Sequence, residues 1–171
     1  LDVIPVRYQV IVTRRPKYGC RTCSGAVVQA PAPPRLIEGG LPTERMVAHV
    51  LVTKYADHAP LYRQAQILAR QGIAIDRSTL ACWVGYAAAE LKPLWRLIRE
   101  DLLGAANLFA DETKAPVLDP GRGRTKTGYF WAIARDDRPW GGTDPPAVVY
   151  SYAPGRGNEH AAKLLKNFRS I

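Results

Sequence analysis

Two places in this 171-residue chain carry side chains whose types and spacing could do chemistry. The first is Asp111, in the run Asn-Leu-Phe-Ala-Asp-Glu-Thr at 107–113. A strand alternates its side chains, so Asp111 and Thr113 share one face while Glu112 points to the other. A carboxylate at the exposed end of a core strand offers a hard oxygen donor on a stiff support, which suits a divalent cation. The plainer alternative is an acid that turns the chain as the strand leaves its sheet. The second place is Cys20-Arg-Thr-Cys23, after a turn at Lys17-Tyr-Gly19. This spacing lets both thiolates reach one tetrahedral zinc ion. Zn2+ needs four ligands, so Cys20 and Cys23 read as half a site whose other pair lies upstream of Leu1. A redox pair and two unliganded thiols are the rival readings.

The composition narrows the partners. Lys and Arg number 24 against 15 acids, a formal charge of +9 with a sequence pI near 9.7. Such a surplus in a folded, non-repetitive chain points to a polyanion, most often nucleic acid, against the alternative of a solvated basic surface. No apolar run reaches the ~18 residues of a membrane span, and the charged opening segment is no signal peptide. Three cysteines are too few and too uneven for a disulfide framework, which suggests a reducing compartment. A soluble, cytoplasmic protein with no membrane partner is expected. The chain opens on Leu1 and closes on Ser170-Ile171 as if entering a strand, so it reads as an internal fragment.

The elements that would position these groups follow from hydrophobic period. Residues 4–12 read as a strand leading into the cysteines, and Gln29-Ala-Pro-Ala-Pro-Pro-Arg35 as a linker. From Pro42 the period is helical, with Met46, Val47, Val50, Leu51 and Tyr55 on one stripe. Pro60 opens a second helix with Leu61, Ala65 and Leu68 inward, and Gly72 stops it. Asp76 caps a third helix in which Leu80, Trp83, Val84, Ala87, Leu91, Leu94 and Ile98 keep the period, and Pro93 should kink or break it. Cys82 beside that stripe reads as a small buried residue. The pair of helices around Gly72 resembles a helix-turn-helix, which would aim Arg77, Ser78 and Thr79 at DNA; an ordinary αα-hairpin is the alternative.

After Gly104 the pattern is β, with strands at 108–118, 129–134 and 147–152 and an amphipathic helix at 158–168. Short connections make this an antiparallel meander followed by a crossover helix. Gly121-Arg-Gly-Arg-Thr-Lys-Thr-Gly128 is a flexible loop whose Arg122, Arg124 and Lys126 could meet phosphate, as could Arg156 in Pro154-Gly-Arg-Gly157. Arg135-Asp-Asp-Arg138 and Asp144-Pro-Pro146 read as turn chemistry. The order β-β-β-α with an acid on the first strand matches the opening half of a ribonuclease H-like fold. The expected class is α+β: half a zinc ribbon and a Pro-rich linker over 1–35, a helical segment over 36–104, and the truncated first part of a catalytic domain over 105–171.

Assembled, these residues resemble the transposases of the insertion sequence 66 family. The resemblance rests on Lys17-Tyr-Gly-Cys-Arg-Thr-Cys23, Leu36-Ile-Glu-Gly-Gly-Leu41, Lys54-Tyr-Ala-Asp-His-Ala-Pro-Leu-Tyr-Arg-Gln64, Gly72-Ile-Ala-Ile-Asp-Arg-Ser-Thr-Leu80, Phe109-Ala-Asp-Glu-Thr113, Leu118-Asp-Pro-Gly-Arg-Gly123 and Gly128-Tyr-Phe-Trp131. It implies a bacterial DDE-type enzyme, nucleoid-associated, using Mg2+ or Mn2+ to cut transposon ends and join them to target DNA, as a homo-oligomer in a synaptic complex. Asp111 would be the first acid of the triad, and Cys20 and Cys23 the second half of a zinc site. The second Asp and the Glu would follow Ile171, so this stretch alone should be inactive. Asp76 stands where the family is expected to have Ser, and either residue can cap a helix. The readings of another class are a DNA-binding module or decayed transposon remnant without chemistry, and a zinc-ribbon RNA-binding protein.

Overall fold

The computed structural model describes residues 1–2, 6–22 and 25–168. By compactness the chain divides into two units, Leu1–Trp83 and Val84–Ile171, with one long helix running through the division. The architecture is α+β, with four helices and two antiparallel sheets among the described residues.

In the first unit, β1 (Lys17–Tyr18) pairs antiparallel with β2 (Val28–Gln29). The Arg15 Nε donates to the Ala30 carbonyl at 2.8 Å, and the Gln29 amide donates to the Arg15 carbonyl at 2.7 Å, which lengthens this small ribbon. The strand expected over 4–12 is not formed at 6–12, and Ile4 and Pro5 lie outside the described residues. Val10, Ile11 and Val12 have β propensity but are 90%, 59% and 73% exposed. With no ladder partner among the described residues and no buried face, propensity alone does not make a strand.

The helix α1 (Glu44–Tyr55) starts where Thr43 accepts a hydrogen bond from the Met46 amide at 3.3 Å, and it buries Val47 and Val50. Tyr55, expected on the inward stripe, is instead exposed, on the last turn of the helix. In α2 (Leu61–Arg70), Leu68 is buried as expected, together with Gln64. The Gln64 amide is satisfied by the carbonyls of Ala59 at 3.0 Å and Val50 at 3.3 Å, so burial leaves no orphan donor. Gly72 ends this helix with φ +80°, while Ile73 N–H donates to Leu68 O and Gly72 N–H to Ala69 O, both at 3.0 Å. This is the paired closure that glycine in the left-handed region permits. Asp76 then caps α3 (Arg77–Leu103) by accepting from the Ser78 amide at 2.7 Å.

Pro93 does not break α3, which runs on for 27 residues. Its missing N–H forfeits one helical bond, a loss that the surrounding turns carry. Leu91 and Leu94, which the period put inward, are about half exposed, and Cys82 is exposed rather than buried. A 27-residue helix changes the neighbours it faces along its length, so one stripe cannot stay covered from end to end.

The second unit is built on the sheet β3 (Phe109–Asp119), β4 (Arg124–Arg135), β5 (Ala147–Ala153), in that order. Its registers run without a slip from Phe109↔Ala134 to Asp119↔Arg124 and from Tyr129↔Ala153 to Arg135↔Ala147. Opposed residues share a face. Trp131, Ile133, Val149 and Ala153 form the covered face, packed against Leu102 and Leu103 of α3 and Leu164 of α4 (Asn158–Leu164). The other face carries Phe109, Phe130, Val148, Tyr150 and Tyr152, each about half exposed. Gly128 lets the Tyr152 ring lie across β4: a Cβ there would sit 2.5 Å from Tyr152 Cε2 and 2.9 Å from Val117 Cγ2.

The hairpin between β3 and β4 is tighter than a loop over 121–128. Pro120 and Gly121, at φ +85°, occupy the centre of a turn closed by Arg122 N–H to Asp119 O at 3.2 Å. Pro then Gly at a positive φ is type II turn chemistry. Arg124 and Lys126 therefore lie on β4, not in the loop. The final helix stops at Leu164, short of the expected Phe168, although Leu165 and Phe168 still pack on the core.

Candidate active site

Asp111 lies on the open face of the sheet, in one row with Ala132 and Tyr150. Strand alternation puts it there because Glu112, one residue on, points to the covered side opposite Trp131. Its side chain is exposed, and Oδ1 accepts a hydrogen bond from the Glu112 amide at 2.8 Å. No ion pair to it occurs among the described residues. The second carboxylate oxygen therefore faces solvent and can serve as a hard ligand. The neighbours of Asp111 are Phe109 and Thr113 on its own strand and Phe130 diagonally on β4. These aromatic neighbours were not singled out in the sequence, though the period-two pattern on both strands carried the signal.

A cation needs more than one carboxylate. Among the described residues, no group of three or more His, Cys, Asp or Glu side chains could hold a metal ion. Asp111 fits one place in such a ligand set by charge, exposure and support, and supplies that place alone.

The basic candidates fall in two groups. Arg122, Arg124 and Lys126 are exposed at the far end of the β3–β4 hairpin, with Arg122 Nε 3.6 Å from the Asp119 carboxylate. By alternation Arg124 and Lys126 share the face of Asp111, and Lys126, opposite Val117, stands about 20 Å along the strand from it. Arg156 is exposed before α4. Arg77, Ser78 and Thr79 are exposed on the first turn of α3, in the first unit. The Ser78 hydroxyl already donates to Asp76 Oδ1 at 2.6 Å, and these bonds hold the Asp76 carboxyl below the usual carboxylate range. Ser78 thus serves the cap first.

Cys20 lies in the connection between β1 and β2, exposed, with Sγ 3.1 Å from the Thr22 hydroxyl. Cys23 lies outside the described residues, so the geometry of the cysteine pair carries no argument. His49 Nε2 lies 3.0 Å from the Tyr8 hydroxyl; burial raises the Tyr8 phenol above its ordinary pKa. No described helix is long and apolar enough to cross a membrane.

Three curated proteins of Sinorhizobium fredii (strain NBRC 101917 / NGR234) are similar over all 171 residues. They are uncharacterized protein y4qI at 51% identity, uncharacterized protein y4jD at 46% and uncharacterized protein y4hP at 39%. The chain spans about a third of their length: 32%, 34% and 30% respectively. No solved structure matches. Residues 39–171, which include α1 to α4 and the whole sheet with Asp111, match the family described as Transposase IS66 family, and the chain belongs to that family.

Proposed function

We propose that this chain is the part of a DDE-type DNA transposase that holds the first catalytic carboxylate, Asp111. The observation that carries the reading is the exposed Asp111 carboxylate on the first strand of a β-β-β-α unit, as in the opening half of a ribonuclease H-like fold. A salt bridge or an apolar cover on that side chain would have argued the other way. Asp111 would hold Mg2+ or Mn2+ together with carboxylates from elsewhere in the complete protein. Such cations lower the pKa of an attacking water or 3′ hydroxyl and offset charge on the phosphorus. The task of the chain is to keep Asp111 on a stiff strand and to hold DNA along Lys126, Arg124 and Arg122, with Arg156 and the first turn of α3 as further contacts. Homo-oligomeric synapsis and association with the nucleoid belong to the same reading. We retain the division into 1–35, 36–104 and 105–171, with Cys20 and Cys23 as half of a zinc ribbon.

The test is Asp111→Ala in the complete protein. Strand cleavage should be lost while binding to the element ends stays nearly intact; loss of both together would assign Asp111 a structural role. For the ribbon, the intact protein should bind about one zinc per chain, and a fully folded metal-free preparation would count against it. A second reading, a DNA-binding module without chemistry, is favoured by one observation: Asp111 has no companion ligands among the described residues. Retained cleavage-deficient binding by the unaltered complete protein would select it.

A further inference from the structure

On the covered side of the sheet, a groove of about 730 Å3 opens between α3, β5 and α4, wholly within the second unit. Its walls include Trp95 and Trp131, and its rim includes Arg96, Arg99 and Lys163. We propose that this groove is a subsite for one unpaired nucleotide of a DNA strand, its base against Trp95 and its phosphate on the rim cations.

The walls are organised for stacking. The Trp95 Nε1 donates to the Tyr150 carbonyl at 3.1 Å, and the Trp131 Nε1 donates to the Gly155 carbonyl at 3.3 Å. With each polar edge tied to backbone, the half-buried Trp95 ring is the one left to meet a base, while Trp131 is largely buried and closes the floor of the groove. The rim supplies the complementary charge. One Arg99 guanidinium nitrogen donates to the Leu164 carbonyl at 2.6 Å, which anchors the group and leaves its other donors for a ligand. Arg96 and Lys163 are exposed. Against these three cations stands Glu100 on the rim, with the Glu159 carboxylate 3.4 Å from the His160 imidazole beside it. A flat aromatic side chain beside a net positive rim matches a nucleobase with its phosphate. A paired base hides both faces in the duplex stack, so the occupant is a nucleotide that is single-stranded or turned out of the helix. The volume lies within the range of small-ligand clefts, enough for one nucleotide rather than a duplex. The inference rests on DNA being the partner, but it uses neither Asp111 nor any metal.

The test uses the 171-residue chain with an oligothymidylate of about ten nucleotides and, in parallel, a duplex of mixed sequence, read by tryptophan fluorescence and by anisotropy. The single strand should quench fluorescence. Trp95→Leu should weaken single-strand binding about tenfold and change duplex binding by less than about twofold. The double variant Arg96→Glu/Lys163→Glu sits on exposed positions and guards against a folding defect at Trp95. It should weaken single-strand binding and lower the salt slope by about 0.7 per cation removed. Folded variants that bind the single strand like the parent, or that lose single strand and duplex equally, overturn the subsite. Duplex binding without single-strand binding overturns the subsite and leaves DNA as the partner. Binding of neither overturns both, as does quenching by an acidic peptide alone.

Discussion

Removing the Asp101 carboxylate should destabilise the second unit in a way that removing its cationic partner does not. Arg135, the last residue of β4, is only 4% exposed; its Nη2 donates to Asp101 Oδ2 at 2.8 Å and to the Pro145 carbonyl at 3.2 Å, and Nη1 lies 3.6 Å from Asp144 Oδ2. Its Nε has no hydrogen-bond partner. A charge-assisted hydrogen bond contributes about 1.5–3 kcal/mol. Here one partner is buried but Asp101 is 62% exposed, so solvent screens part of the attraction. Asp101 also lies in the last turn of α3, where a negative charge opposes the helix dipole by about 0.3–1 kcal/mol. The net cost of Asp101→Ala is then about 1–2 kcal/mol, and that of Asp144→Ala, with the longer contact, about half as much. The double variant should cost more than the sum, since it strands a buried cation. Arg135→Met removes that cation with its desolvation penalty and should cost less than the double variant. Urea unfolding followed by fluorescence reads this unit well, because Trp95, Trp131 and Trp140 all lie in it. If Arg135→Met proves the most damaging of the set, the ion network is a net source of stability and the reasoning fails.

The cap on α3 gives a pH prediction. Its hydrogen bonds depress the Asp76 pKa, so its stabilising effect is present above the unfolded value of about 3.9 and is lost as pH falls through the lower folded value. Asp76→Ala should therefore lower the thermal midpoint at pH 7, and the gap to the parent protein should close in strong acid; a gap independent of pH would refute the ionic cap. Gly72→Ala forces a Cβ into the left-handed region that ends α2, at a cost of about 1–2 kcal/mol, measured by circular dichroism melting.

What could be read from the sequence was whatever local rules decide. The helix from Pro42 shows in its period, the Pro60 to Gly72 segment carries its own start and stop signals, and the three strands of the second unit carry an alternation that survives in their registers. That Asp111 and Thr113 share one face, with Glu112 on the other, also followed from alternation; which of the two faces is the open one did not. Features set by distant partners were illegible. Val10, Ile11 and Val12 look like a strand until it is known that no strand pairs with them among the described residues. The first residues of β4, Arg124 to Thr127, are polar enough to pass for loop, yet the turn at Pro120-Gly121 zips them onto β3. By its sequence neighbours Arg135 belongs to a turn. It keeps the parity of Trp131 and Ile133, which was the available sign that it would be buried. The turn reading does hold for Asp136 and Arg138, whose exposed ion pair at 2.7 Å closes locally.

Among the described residues, β3 pairs on one side only, so an eleven-residue row of backbone donors and acceptors stands open along Phe109–Asp119. Such a row is a template for unwanted fibrils. Pro116 interrupts it, since proline is tolerated in a ladder only where its nitrogen faces away from the partner strand, and Lys114 adds a charge beside it. The missing donor at Pro116 is therefore one bond that a strand added along this row could not make, and Pro116→Val would restore it.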